Sequence, residues 1–205
     1  MRDVVPGPGH RRLFEMASEQ GGYFTAAQAE ACGISRPLLS HHSQAHGRFI
    51  RVRHGLYRVR DYPSSPREEV IAAWLAAGRE VAVVSHESAL DLLDLSDVVP
   101  DAVHLTVPRE KRHRRARPGV RIHTTTRPVR PRDVVVRDGI RVTSAERSIA
   151  DAAQAGTAPD QIVTAVAQAV ERGATTAPRL LAAGRERGGR VERLVRQALR
   201  RNERT

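Results

Sequence analysis

One cysteine in 205 residues, Cys32, leaves no intramolecular disulfide framework and no cysteine-based zinc cluster. Its apolar helical surroundings make it a small buried core residue rather than a reactive thiol. Lysine is almost as scarce, since Lys111 is the only one and directly follows Glu110. A restriction-type nuclease would usually need a lysine two residues beyond a metal-binding carboxylate, so that class is disfavoured. A Gly-rich phosphate loop ending in Lys-Ser/Thr and a Gly-x-Ser-x-Gly nucleophile elbow are also missing. Aromatic residues make up 3% of the chain, too few for a single-strand stacking platform, and Phe24, Phe49 and Tyr57 read as packing residues. The longest apolar run, residues 70–77, is far below the ~18 residues that span a bilayer. Residues 1–10 contain no apolar secretion core. A cytoplasmic protein with no membrane partner is therefore expected.

Apolar residues, in contrast, make up 40% and charged residues 28%, enough for a packed core. The net charge of +11 is almost all arginine and points to a polyanionic partner. By segment it is +5 over residues 1–60, −7 over 61–107, +9 over 108–147 and +4 over 148–205. The change of sign near Asp61 coincides with Tyr62-Pro63-Ser64-Ser65-Pro66, which continues neither a helix nor a strand easily. The expected organisation is a first domain over residues 1–61, a linker at 62–66 and a second domain over 67–205, in an α+β fold.

Three helices and a hairpin are expected in the first domain. Leu13, Phe14, Met16 and Ala17 have helical spacing and stop at Gly21-Gly22. Thr25 can cap a second helix over 26–31, and Ser35 a third with Pro37 in its first turn. After Gly47 the period changes to two, through Phe49, Ile50 and Val52 to His54-Gly55 and on to Leu56, Tyr57 and Val59. Three helices followed by a basic hairpin are the layout of a winged helix-turn-helix, whose third helix enters the major groove while the wing reaches phosphates. The third helix and the residues after it offer Ser35, Arg36, Ser40, His41 and Gln44, with His42 a further candidate, as groups able to reach base edges. The wing offers Arg48, Arg51, Arg53, His54 and Arg58 for phosphates. A winged helix used for protein contact, its arginines merely solvated, is the alternative.

In the second domain, residues 67–77 form an apolar-faced helix, 81–84 a short buried strand, and Ser85 can cap a helix through Leu93. Strands follow at 103–107 and 120–126. The connection between them, residues 108–119, holds seven basic residues in twelve and reads as a solvated hairpin loop. Asp138-Gly139 marks another hairpin, and Thr143 with Glu146 has capping-box spacing for a helix through Ala155. The tail is helical, with one apolar stripe through Ile162, Val166 and Ala169 and another through Val191, Val195 and Ala198.

The run Gly21-Gly22-Tyr23-Phe24-Thr25-Ala26-Ala27-Gln28-Ala29, then Gly33-Ile34-Ser35 and Arg51-Val52-Arg53-His54-Gly55-Leu56-Tyr57-Arg58-Val59, resembles the N-terminal winged helix of the AbiEi-family antitoxins of type IV toxin–antitoxin systems. The resemblance continues through Ser85-His86-Glu87-Ser88-Ala89-Leu90, His104-Leu105-Thr106-Val107-Pro108 and Val142-Thr143-Ser144-Ala145-Glu146-Arg147-Ser148-Ile149-Ala150-Asp151. It covers roughly residues 10–175. It implies a bacterial antitoxin that is not an enzyme. Such a protein represses its own operon by binding double-stranded promoter DNA, compatibly with a dimer, and opposes a co-encoded nucleotidyltransferase-like toxin. The principal rival is a winged-helix regulator whose second domain senses a ligand or partner.

Two further charge clusters admit two readings each. Arg109, Lys111, Arg112, Arg114, Arg115 and Arg117 form either a mobile charged loop or a second polyanion contact, and Glu87, Asp91, Asp94, Asp97 and Asp101 either a solvated face or a docking patch. His86, His104, His113 and His123 with Glu87 are candidates for a metal or acid/base site, three of the histidines falling on or near different strands so that convergence is geometrically allowed, but no recognised metal spacing joins them. Neither a metal nor a cofactor is expected.

Overall fold

A computed structural model describes residues 7–111, 118–126 and 129–202 of the chain. The chain divides into two compact units, residues 1–79 with 138–140, and residues 80–137 with 141–205.

In the first unit, helices α1 (Pro8–Ser18), α2 (Ala26–Ala31) and α3 (Arg36–His42) alternate with strands β1 (Tyr23–Thr25), β2 (Phe49–Arg53) and β3 (Leu56–Val59). The expected Thr25 cap forms: Thr25 accepts from the Gln28 backbone at 3.2 Å while the Gln28 side chain accepts from the Thr25 backbone at 2.8 Å, a reciprocal capping box. Ser35 holds the N-cap position of α3 but its side chain makes no capping hydrogen bond, and Pro37 occupies the first turn, where a missing N–H costs nothing. β1 was not anticipated. Three residues long, it pairs antiparallel with β3 and gives the sheet order β1-β3-β2. The core joins Leu13, Ala17, Phe24, Ala29, Ile34, Leu39 and Phe49, with Phe24 edge-on to Phe49 at 4.9 Å between ring centroids. Cys32 is only half-buried, because it ends α2 as the C-cap instead of continuing the apolar face. Helix α4 (Glu68–Ala77), which carries the buried Trp74, belongs to this first unit, so the unit runs past the proline–serine stretch to Arg79. Arg53 donates to the Ala72 carbonyl and Arg58 pairs with Glu68, both contacts between the wing and α4.

The second unit contains β4 (Val83–Val84), α5 (His86–Leu92), β5 (Val103–Pro108), β6 (Val120–Thr125), β7 (Val134–Arg137), β8 (Ile140–Thr143, whose first residue groups with the first unit) and helices α6 (Ala145–Ala155), α7 (Pro159–Glu171), α8 (Ala177–Glu186) and α9 (Gly189–Asn202). The sheet order is β6-β5-β4-β8-β7. β5 and β6 run parallel, from Val103 opposite Val120 to Pro108 opposite Thr125, so the basic connection between them is a crossover and not a hairpin loop. Alternating apolar residues identify strands but not their relative direction, which explains the error. Thr143 does not cap α6. Ser144 holds the N-cap position, and the Thr143 hydroxyl instead shares a 2.7 Å hydrogen bond with Ser148. Helix α8 was also unforeseen. The helical core gathers Leu90, Leu95, Ile149, Ile162, Val166, Leu180, Val191 and Val195. Among the described residues, no helix is long and apolar enough to cross a membrane.

Candidate functional site

The first unit presents a polar face built on α3, the loop after it and the wing. Leu39 alone of α3 is fully buried, anchoring the helix to the core, which leaves Ser35, Arg36, Ser40 and His41 exposed. Gln44, Arg48, Arg51 and His54 are exposed as well, and Arg51 approaches the His54 Nδ1 at 3.3 Å. His42 is half-buried, edge-on to His10 at 4.8 Å and to Phe49 at 5.9 Å between centroids. Burial, aided for His42 by His10, His41 and Arg48 and for His10 by Arg48, holds both imidazoles below their ordinary range.

Two of the wing arginines turn inward and leave the surface expected for phosphates. Arg58, 12% exposed, donates to Glu68 at 2.9 Å and to the Tyr62 carbonyl at 2.7 Å, with the Tyr23 hydroxyl on the other Glu68 oxygen at 3.2 Å. Arg53 is half-buried on the Ala72 carbonyl. A guanidinium committed to backbone oxygens and a carboxylate has fewer donors for a phosphate.

Sequence reasoning passed over Arg60. Its guanidinium donates to the carbonyls of Gly47 at 2.6 Å, Gln44 at 3.2 Å and Phe49 at 3.4 Å, and so ties the loop after α3 to the sheet. Gly47 makes the close turn feasible, because a Cβ there would collide with the His42 carbonyl. The signal was an arginine just past the last wing strand, with no apolar partner of its own.

The second unit holds a polar cavity of about 760 Å³, lined among others by His86, Thr106, Arg109, His123, Arg130, Asp133, Arg147, Asp151 and Arg187. Helix α6 presents Arg147 and Asp151 one turn apart, 2.7 Å from Nε to carboxylate, and Arg187 from the C-terminal end of α8 takes the other Asp151 oxygen. Arg130 bridges Asp133 at 2.9 Å and Glu186 at 3.0 Å. Asp151, 5% exposed, thus has two guanidiniums to offset its burial. Of the basic connection, Arg109 and Lys111 are described, exposed on a short 3₁₀ turn (Arg109–Lys111), and Arg112, Arg114, Arg115, Arg117 and His113 lie outside the described residues. The acidic stretch is partly committed within the unit: Glu87 accepts from Thr157 at 2.7 Å, Asp94 pairs with Arg137 at 3.1 Å, and Asp101 with Arg121 at 3.1 Å.

His86, His104 and His123, from α5, β5 and β6, converge beside this cavity. His86 stacks on His123 with centroids 3.5 Å apart, and the His123 Nε2 lies 3.3 Å from the His104 Nδ1. Burial, reinforced by the neighbouring His123, pushes His86 down to about 3. Burial with His104 pushes His123 down to about 4, and burial lowers His104 too.

Residues 11–60 match the family described as transcriptional regulator, AbiEi antitoxin, a segment that contains all of α2, α3 and the wing and most of α1. The resemblance read from the sequence is thereby supported over that segment. No curated protein matches the chain significantly. Among solved structures, the fold is similar to the crystal structure of the RV2827C protein from Mycobacterium tuberculosis, with a TM-score of 0.57 at 14% identity, covering 98% of this chain and 79% of that one.

Proposed function

We propose that the chain is the antitoxin of a bacterial toxin–antitoxin system, that it represses its own operon through the first unit, and that it opposes a co-encoded nucleotidyltransferase-like toxin. The carrying observation is the exposed set Arg36, Ser40, His41 and Gln44 on α3, flanked by Arg48, Arg51 and His54. α3 provides groups that fork onto guanine or adenine edges, and the flanking cations fit phosphates. The family match over residues 11–60 supports the same reading. In this reading Arg53 and Arg58 brace the wing and do not contact DNA. No catalytic role is assigned, and the protein acts in the cytoplasm.

The test is titration of the full chain with duplex DNA from upstream of its own gene, against a scrambled duplex of equal length and at several salt concentrations. A preference of tenfold or more for the native duplex is expected. Equal affinity for both would remove the operator-reading role.

A winged-helix regulator with a ligand-sensing second unit is the alternative, and the 760 Å³ polar cavity is the observation that favours it. A toxin gene that the protein fails to neutralise would decide for it.

A further inference from the structure

We infer that His86, His104 and His123 form a binding site for a single divalent transition-metal ion of the zinc type, with its open coordination position facing the cavity of the second unit. One ligand nitrogen from each histidine lies within 4.8 Å of the other two, an assembly of three strand- and helix-borne imidazoles that the fold, not local sequence, brings together. The separation between the His123 Nε2 and the His104 Nδ1, 3.3 Å, equals the edge of a tetrahedron whose centre lies about 2.0–2.1 Å from each nitrogen, the Zn–N distance.

The remaining ring nitrogens are placed as outer partners of metal-bound histidines usually are. His86 uses its Nδ1 on the Ser85 hydroxyl at 2.9 Å, and that hydroxyl in turn accepts from Thr106 at 2.8 Å. The His104 Nε2 faces the Asp101 carboxylate at 3.8 Å and has no hydrogen-bond partner although it is buried. A metal on the opposite nitrogen would draw that N–H toward the carboxylate.

Binding requires one adjustment. Stacked rings cannot both aim in-plane lone pairs at one point, so His123 must turn out of its stack on His86. It is half-buried on the edge strand β6, where a ring rotation displaces little. His86 and His123 line the cavity together with Arg109, Arg130, Arg147 and Arg187, so the fourth ligand would be water or an anionic oxygen.

The experiment uses the untagged full chain, stripped of metal and titrated with Co(II) while visible absorption is recorded, followed by displacement with Zn(II). One equivalent of four-coordinate cobalt, displaced by one of zinc, is expected. His123→Ala should weaken binding at least tenfold, whereas His41→Ala with His42→Ala should leave it unchanged, which separates this site from the histidines of the first unit. Absence of saturable binding at 100-fold excess metal, or binding indifferent to His123→Ala, overturns the inference. Should His123→Ala fail to fold, X-ray absorption of the cobalt-loaded wild type decides: three imidazole ligands uphold the site and fewer refute it.

Discussion

Arg36 and Gln44 stand exposed where a base edge would be read, Arg48 and Arg51 where a phosphate would lie, and Arg53 and Arg58 against the body of their own unit. These three situations have separable consequences. Arg36→Ala and Gln44→Ala should each cost ~1–3 kcal/mol of discrimination between native and scrambled duplex. Arg48→Ala and Arg51→Ala should weaken both duplexes alike and reduce the salt slope by about one unit each. Arg58→Ala should do neither and instead cost ~1–3 kcal/mol in a urea melt, because Glu68 loses a charged donor. A salt slope altered by Arg58→Ala with stability intact would return that residue to the DNA surface. His42 and His10 contribute to a pH dependence that His86, His104 and His123 share in the same direction. Their imidazoles titrate below the ordinary 6.5, so beneath that value the unfolded chain takes up protons that the folded chain refuses, and stability falls as pH drops from 7 toward 5. Urea midpoints across that range check this, and His42→Gln should flatten part of the decline.

At the scale of elements, the loop joining α3 to β2 sets where α3 ends relative to the β2–β3 hairpin. Gly47→Ala should cost about 1–3 kcal/mol, since the added methyl meets the His42 backbone, and should lower DNA affinity by displacing Gln44 and Arg48. Calorimetry with a DNA titration reads both effects, and an unchanged melting temperature would show that the turn has room to spare. The elements here were legible from sequence wherever local chemistry decides them: Thr25 and Gln28 advertise a cap, Pro37 a first turn, and Gly55 a hairpin. What escaped depends on partners distant in the chain. β1 is three residues whose only justification is its pairing with β3. The direction of β6 is set by its neighbour, and its connection to β5 spans 109–119, shorter than the dozen or more residues that usually mark a parallel crossover. The meeting of His86 with His123 and of Asp151 with Arg187 has the same origin. Arg147 with Asp151 and Arg130 with Asp133 did have a local signal, ion-pair spacings of four and three.

For the molecule as a whole, two units with separate cores make separable activities the natural expectation. With the toxin expressed from an unrelated promoter, the full chain carrying Arg36→Ala and Arg51→Ala should still rescue growth. The same chain with Arg112, Arg114 and Arg115 changed to alanine should not, because the +9 segment is the largest concentration of charge available to an anionic partner. Rescue lost in the first variant and kept in the second would reverse the assignment.

The register of the larger sheet has a consequence for the order in which the protein comes into being. Every strand pair of the first sheet closes within residues 23–59, whereas β4 waits for β8, Val84 meeting Val142 only after about half of the second unit has been synthesised. Closing so long a loop is entropically costly and slow compared with the local contacts before it. On the ribosome α3 and the β2–β3 hairpin therefore mature first, and the unit proposed to oppose a toxin matures last. A nascent or interrupted chain would then be competent for the operator before it is competent for its partner. On the proposed function, repression would begin early and neutralisation would follow only once the central strands have met.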